Sequence, residues 1–396
     1  MAGIPTIFIS LLGRNPFPNG AIALTLFAWA LLALLFAVVR GNDALSFGRL
    51  LKAPIVATVV LAVLLIVRLG AHDTYAYGSV KVRLFVAENL VVLIAGVAVA
   101  RYNRHFHRLL AGLVLVACAT SVVLARGLAS GQVAATVGGR FSLDQQASPI
   151  GLGRDAATGI LVAIFLVLAA RSSLLRLFAL GAIPLIAVSF IAAGSRGPVI
   201  GLVVGLLVLL ALALRERKTR ARVLLVAIAA VGGALLVSQL VPGQDIQRSL
   251  SVLTGSGNGL SSNGRSALWH QAWQLFLAHP LFGAGTGAFS GISPIDLFPH
   301  NIFLEVGAEV GIIGVIAVVV VVLGGVRALW RADVLSLGKL RVEVALVGAL
   351  LAAAFVNAQV SSDITSNSSL WLAVGLALGL EQRAVKAVRP DPSDSR

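Results

Sequence analysis

Three side chains in this sequence are of the kinds that handle a phosphoester and a hydroxyl together. Arg196 stands in Gly194-Ser195-Arg196-Gly197-Pro198, a minimal turn between two apolar runs. Arg265 opens Arg265-Ser-Ala-Leu-Trp-His-Gln-Ala-Trp-Gln-Leu-Phe-Leu, where Leu268, Trp269, Ala272, Trp273 and Phe276 recur at helical spacing. It therefore falls in a first helical turn, whose unpaired amides and dipole already favour an anion. His300 lies in Phe298-Pro299-His300-Asn301-Ile302, at the head of another apolar run. A guanidinium grips phosphate oxygens in a planar, two-pronged way that an ammonium does not reproduce. An imidazole accepts a proton near neutrality and is the usual general base. Two fixed cations and one base would make a site for a diphosphate and a hydroxyl. Each residue also has a plainer reading: arginines at membrane level anchor in lipid headgroups, and a histidine at a helix start is often structural.

A second rank of candidates surrounds these. Asp363, in Ser361-Ser-Asp-Ile-Thr, pairs with an arginine, assists a base or is simply solvated. Glu305 and Glu309 stand at i,i+4 and so share one helix face, directed to an external vestibule or to the site. Asn301 is placed to orient either the ring or a substrate. Trp269, Asn301, Glu305 and Asp363 are thus expected to join Arg196 and Arg265 in contacting substrate. Arg140, Asp144, Gln145, Gln146 and Arg154 form a stretch polar enough for a sugar, and Glu88 has no assigned part. Gly283-Ala-Gly285-Thr-Gly287 lacks the spacing and strand-to-helix context of a dinucleotide fingerprint. No HExxH, Walker or paired Cys/His arrangement occurs. No metal and no other cofactor is expected.

The elements that position these residues must live in lipid. Fully 58% of the chain is hydrophobic and only 12% is charged, with a mean hydropathy of +0.96, more apolar surface than a soluble interior can hide. Apolar runs fall near 21–39, 53–69, 84–100, 109–125, 156–170, 177–193, 198–214, 223–242, 302–325, 343–360 and 370–382. A bilayer core takes roughly 20 residues per helix, and the chain is long enough for every run to cross. The short segment 4–12 is a half-helix or a twelfth span. The fold class is all-α: a polytopic integral membrane protein of about 11–12 transmembrane helices, one membrane domain over 1–396. The net charge of +15 suits topology rather than nucleic acid, because Lys and Arg sit in short clusters between apolar runs. Loops 40–52, 101–108, 171–176, 215–222, 326–341 and the tail from 383 hold 21 of the 31 basic residues and fall on alternate sides of the spans from the rest. The positive-inside rule makes that set cytoplasmic. Arg196, Arg265 and His300 then share the opposite face. There the loop 243–301 is too long for a connector and is expected to be partly helical, with an amphipathic helix near 263–278 carrying part of the site. A single cysteine, Cys118, leaves no disulfide framework. The N-terminus lacks the start and cleavage site of a signal peptide and is expected to be retained.

Taken together, Asn263-Gly-Arg265-x3-Trp269-x2-Ala272-x7-Pro280-x2-Gly283-x-Gly285 and Pro299-His300-Asn301-x2-Leu304-x6-Gly311-x2-Gly314 resemble the signature of the O-antigen ligase/polymerase superfamily of bacterial envelope glycosyltransferases. Gly194-Ser195-Arg196-Gly197 resembles the outer turn upstream of that family's domain. The motifs cover about 190–325. The resemblance implies a GT-C-like, metal-independent, inverting transferase of the bacterial inner membrane whose active site faces the periplasm. Its donor would be a glycan on undecaprenyl diphosphate. Arg196 and Arg265 would hold the diphosphate, and His300 would activate or orient the acceptor hydroxyl. The closest likeness is to an O-antigen ligase, with lipid A-core as acceptor and membrane lipids as surroundings. A polymerase extending a second lipid-linked glycan comes next, and a protein O-oligosaccharyltransferase third. A transporter is the alternative of a different class. It would place polar groups at the bilayer midplane in matching halves, whereas these gather at one face.

Overall fold

The computed structural model describes residues 52–70, 76–130, 149–170, 172–213, 226, 265–293 and 298–388. The expected spans near 21–39 and, apart from residue 226, 223–242, the segment 4–12, Arg140, Asp144, Gln145 and Gln146 lie outside the described residues. Within them the chain is all-α, with no strand. In chain order the helices are α1 (Ala53–Val67), α2 (Ala76–Leu84), α3 (Val91–Ala100), α4 (Asn103–Ala129), α5 (Pro149–Ala169), α6 (Ser173–Ala192), α7 (Arg196–Ala213), α8 (Arg265–Ala278), α9 (Ala288–Ile292), α10 (Ile302–Val310), α11 (Ile312–Leu335), α12 (Arg341–Val360) and α13 (Ser368–Val388). A π-helical turn, Phe85–Leu90, joins α2 to α3, so that Tyr77–Ala100 runs as one 24-residue span. Six of the described helices are long and apolar enough to cross a bilayer, and this is a multi-pass membrane protein.

The structure departs from the sequence reading at several places, among them the following. The run 302–325 is two helices, broken at Gly311, whose φ of +81° and ψ of −168° no helix contains. The basic stretch 326–341 is helical as far as Leu335. Arg154 belongs to no loop: α5 starts at Pro149, and the arginine is buried in it.

The chain forms two compact units. One comprises Met1–Asn19, Arg104–Gly257 and Arg341–Asn357. In it α5 packs on α6 and α7, and an almost wholly buried α5 lies at its centre. The other comprises Gly20–Asn103, Asn258–Leu340 and Ala358–Arg396. Its helices pack as α3 on α13, α13 on α11, and α11 on α1. The basic segments that sequence assigned to one side meet at one end of these helices: Glu381 pairs with Lys52 at 2.5 Å and with Arg331 at 3.3 Å. At the other end Tyr77, the segment Pro299–Asn301 and the turn between α12 and α13 come together.

The α3–α13 contact depends on small residues, as close helix packing in lipid does. A Cβ on Gly96 would meet Leu372 O and Leu376 N at 3.0 Å, and one on Gly375 would run into the Leu93 carbonyl. Gly181, in α6, faces open space. Gly375→Ala should therefore cost about 1–3 kcal/mol through overpacking. Gly181→Ala should be neutral or gain up to about 1 kcal/mol from helix propensity. Thermal unfolding of both variants in detergent checks the contrast.

Candidate functional site

His300 owes its setting to the way α10 starts. Asn301 is extended, and its Oδ1 accepts from the amides of Phe303 and Leu304, each at 3.1 Å, which caps the helix. Its Nδ2 donates to Gln359 O at 3.2 Å. One residue upstream, His300 has a φ of +58°, a left-handed conformation that costs a non-glycine residue about 1 kcal/mol or more. Trp269 Nε1 donates to Pro299 O at 2.9 Å, and the Phe298 ring meets the imidazole edge-on at 4.8 Å. The imidazole Nδ1 accepts the Ser362 amide at 3.0 Å. Ser362 is left-handed too, at +60°. Strain of this kind, held on both sides of one hydrogen bond, collects at functional sites.

The turn that presents the Ser362 amide is secured from below. Asp363 is fully buried and accepts from Tyr77 Oη and Thr365 Oγ1 at 2.7 Å each and from Ser366 N at 2.9 Å. Burial pushes this carboxyl up, but the Lys81 charge and those hydrogen bonds outweigh it and hold Asp363 below its ordinary value. The Ile364 carbonyl takes Asn89 Nδ2 at 2.9 Å, and the Ile364 amide gives its hydrogen to Glu305 Oε2 at 2.9 Å. Beneath lies Lys81, wholly enclosed. Its Nζ is 2.7 Å from Glu305 Oε1 and 2.8 and 2.7 Å from the two Glu309 oxygens. From Lys81 the contacts run through Glu305, the Ile364 amide and the turn to Ser362 and His300.

Arg265 heads α8, whose Leu268 and Ala272 are buried against Phe289 and Ala308. It is half-buried, one turn before Trp269 on the same helix face. The helix predicted near 263–278 is therefore present from Arg265. Arg196 belongs to the other unit, where it heads α7 after Gly194, whose φ is +52°. It too is half-buried.

Of the side chains expected to contact substrate, four are engaged within the protein. Asn301 caps α10, Trp269 holds Pro299, and Glu305 and Asp363 are at most 1% exposed with partners inside the fold. They shape the frame around His300. The sequence reading missed Lys81, Tyr77, Asn89 and Ser362. A lone lysine close to an apolar run, with two glutamates at i,i+4 elsewhere in the chain, was the available signal for Lys81. The Ser362 contribution is a backbone amide and has no residue-type signature.

Residues 180–319 match the family model described as O-Antigen ligase. No curated protein matches the chain.

Because Lys81 is the counter-charge of two buried carboxylates, Lys81→Met alone should lose about 3–5 kcal/mol. The triple variant Lys81→Met with Glu305→Gln and Glu309→Gln removes the stranded charges and should recover most of it. The unfolding midpoints in detergent decide, and a single variant as stable as the parent would dismiss the ion-pair account.

Proposed function

This chain belongs to the O-antigen ligase superfamily through its domain at 180–319, and on that premise we propose that it transfers a glycan from undecaprenyl diphosphate to a hydroxyl of lipid A-core at the periplasmic face of the inner membrane. The observation that carries the reading is His300, fixed in a strained conformation by two tryptophan- and asparagine-anchored neighbours and a backbone amide, with Arg265 one turn from Trp269. Sidedness supports it. The positive-inside rule assigns the end holding Lys52 and Arg331 to the cytoplasm, and the His300 end is the other one.

The chemistry suits the residue types. The acceptor oxygen attacks the anomeric carbon from the face opposite the diphosphate, the sugar-to-phosphate bond breaks with inversion, and the departing diphosphate gains negative charge. Arg265 stabilises that charge with two parallel N–H donors beside the positive end of α8. Arg196 is given the same part by the resemblance alone. The resemblance gives His300 the acceptor hydroxyl, to activate or to orient. Trp269, Asn301, Glu305 and Asp363 keep the histidine in place. A polymerase would share this donor machinery and differ only in its acceptor.

Purified protein in nanodiscs, given a lipid-diphosphate glycan with lipid A-core or with a second lipid-linked glycan, tests the assignment. Extension of lipid A-core is expected. Extension of the second glycan instead would make the chain a polymerase, and extension of neither would end the reading. Arg265→Ala and Arg196→Ala should each lower transfer by about 10²–10³-fold or more while the protein remains inserted. Full activity in either variant removes that residue from the diphosphate site. Chelator should leave the rate unchanged.

A further inference from the structure

The hydrogen bond from the Ser362 amide bears on what His300 does. A backbone N–H only donates, so Nδ1, 3.0 Å away, must present a lone pair. A neutral imidazole has one donor and one acceptor nitrogen. With Nδ1 accepting, the ring proton resides on Nε2. The opposite tautomer would set two hydrogens against each other, and a ring turned over would put a carbon-bound hydrogen in the place of Nδ1. Rotation away is resisted by the Phe298 ring, edge-on at 82°, and by the backbone, which Asn301 and Trp269 hold on either side. The Ser362 amide is itself fixed, since the following residues are secured by Glu305, Asn89 and the Asp363 contacts.

We infer that His300 is a hydrogen-bond donor, through Nε2–H, to an oxygen of the departing diphosphate, and not the base that takes the acceptor's proton. This rests on the glycan-transfer reading, deepens it, and replaces the acceptor-side role that the resemblance gives His300. In the step itself the acceptor oxygen forms its bond to the anomeric carbon, and the electron pair of the breaking bond passes to the diphosphate oxygen. The Nε2–H group stabilises the charge arriving there together with arginine. The acceptor's proton leaves after the new bond has made its oxygen strongly acidic, and water takes it up. No base is then needed at the hydroxyl. The Lys81, Glu305 and Asp363 assembly becomes, in this account, the device that fixes the tautomer.

Two measurements test it. In protein carrying ¹⁵N-labelled histidine, the His300 resonances, identified by their loss in His300→Gln, should show a protonated Nε2 and an unprotonated Nδ1; the reverse pattern would overturn the inference. In transfer assays His300→Gln, whose amide nitrogen can donate near the Nε2 position, should keep clearly more activity than His300→Glu, which offers a base and no donor. His300→Ala should fall by about 10²–10³-fold, as on removal of one transition-state donor. Glutamate equal to or better than glutamine would restore the base. A parent protein inactive on every lipid-diphosphate glycan would instead count against the transfer reading, because the tautomer is measured without any substrate.

Discussion

One enclosed ammonium organises the end of the molecule that carries His300. Lys81 has no exposed surface, and a charge in such a place costs several kcal/mol unless opposite charge meets it at close range. Glu305 and Glu309 meet it, both within 2.8 Å and both on one face of α10, because a spacing of four residues is close to one helical turn. That requirement sets the rotation of α10 relative to α2. The second oxygen of Glu305 reaches the Ile364 amide, so the same charge also fixes the turn between α12 and α13.

The far end of α10 is finished by backbone alone. A helix leaves its last carbonyls without partners, and here the Ala308 and Glu309 carbonyls accept the amides of Ala284 and Gly285, while Pro280 O accepts the Ile312 amide across the break. Such closeness excludes side chains. A Cβ on Gly283 would overlap the Glu309 carbonyl group, and one on Gly311 would overlap Leu281. The glycines that superficially suggested a nucleotide loop thus cap a helix. Arg68 Nη2, donating to Gly283 O at 2.9 Å, and Thr286 Oγ1, donating to Leu65 O at 2.7 Å, bind the same loop to the end of α1.

Much of this was legible in the residues. Apolar runs and clustered Lys and Arg announced a multi-pass protein, and the meeting of Lys52, Arg331 and Glu381 at one end follows the charge pattern. Helical spacing from Arg265, and a histidine at the head of an apolar run, marked the local elements correctly. The roles of Glu305, Asp363 and Asn301 were not legible. Spacing shows which face a carboxylate occupies, but not whether a lysine more than two hundred residues earlier fills the space before it. The break at Gly311 was hidden for a similar reason. Hydropathy continues across it, and the close approach of Leu281 from an earlier segment leaves no mark in the apolar run itself.

The partner of His300 is a main-chain amide, and that alters how the position answers to mutational drift. Exchanging the Ser362 side chain for another leaves the imidazole's partner in place. Proline alone lacks the amide hydrogen, and a φ of +60° already bars its ring, which is locked near −65°. The imidazole's partner is consequently independent of the Ser362 side chain itself, replacements being limited by the left-handed backbone, which disfavours β-branched residues, and by the side chains that hold the turn in shape.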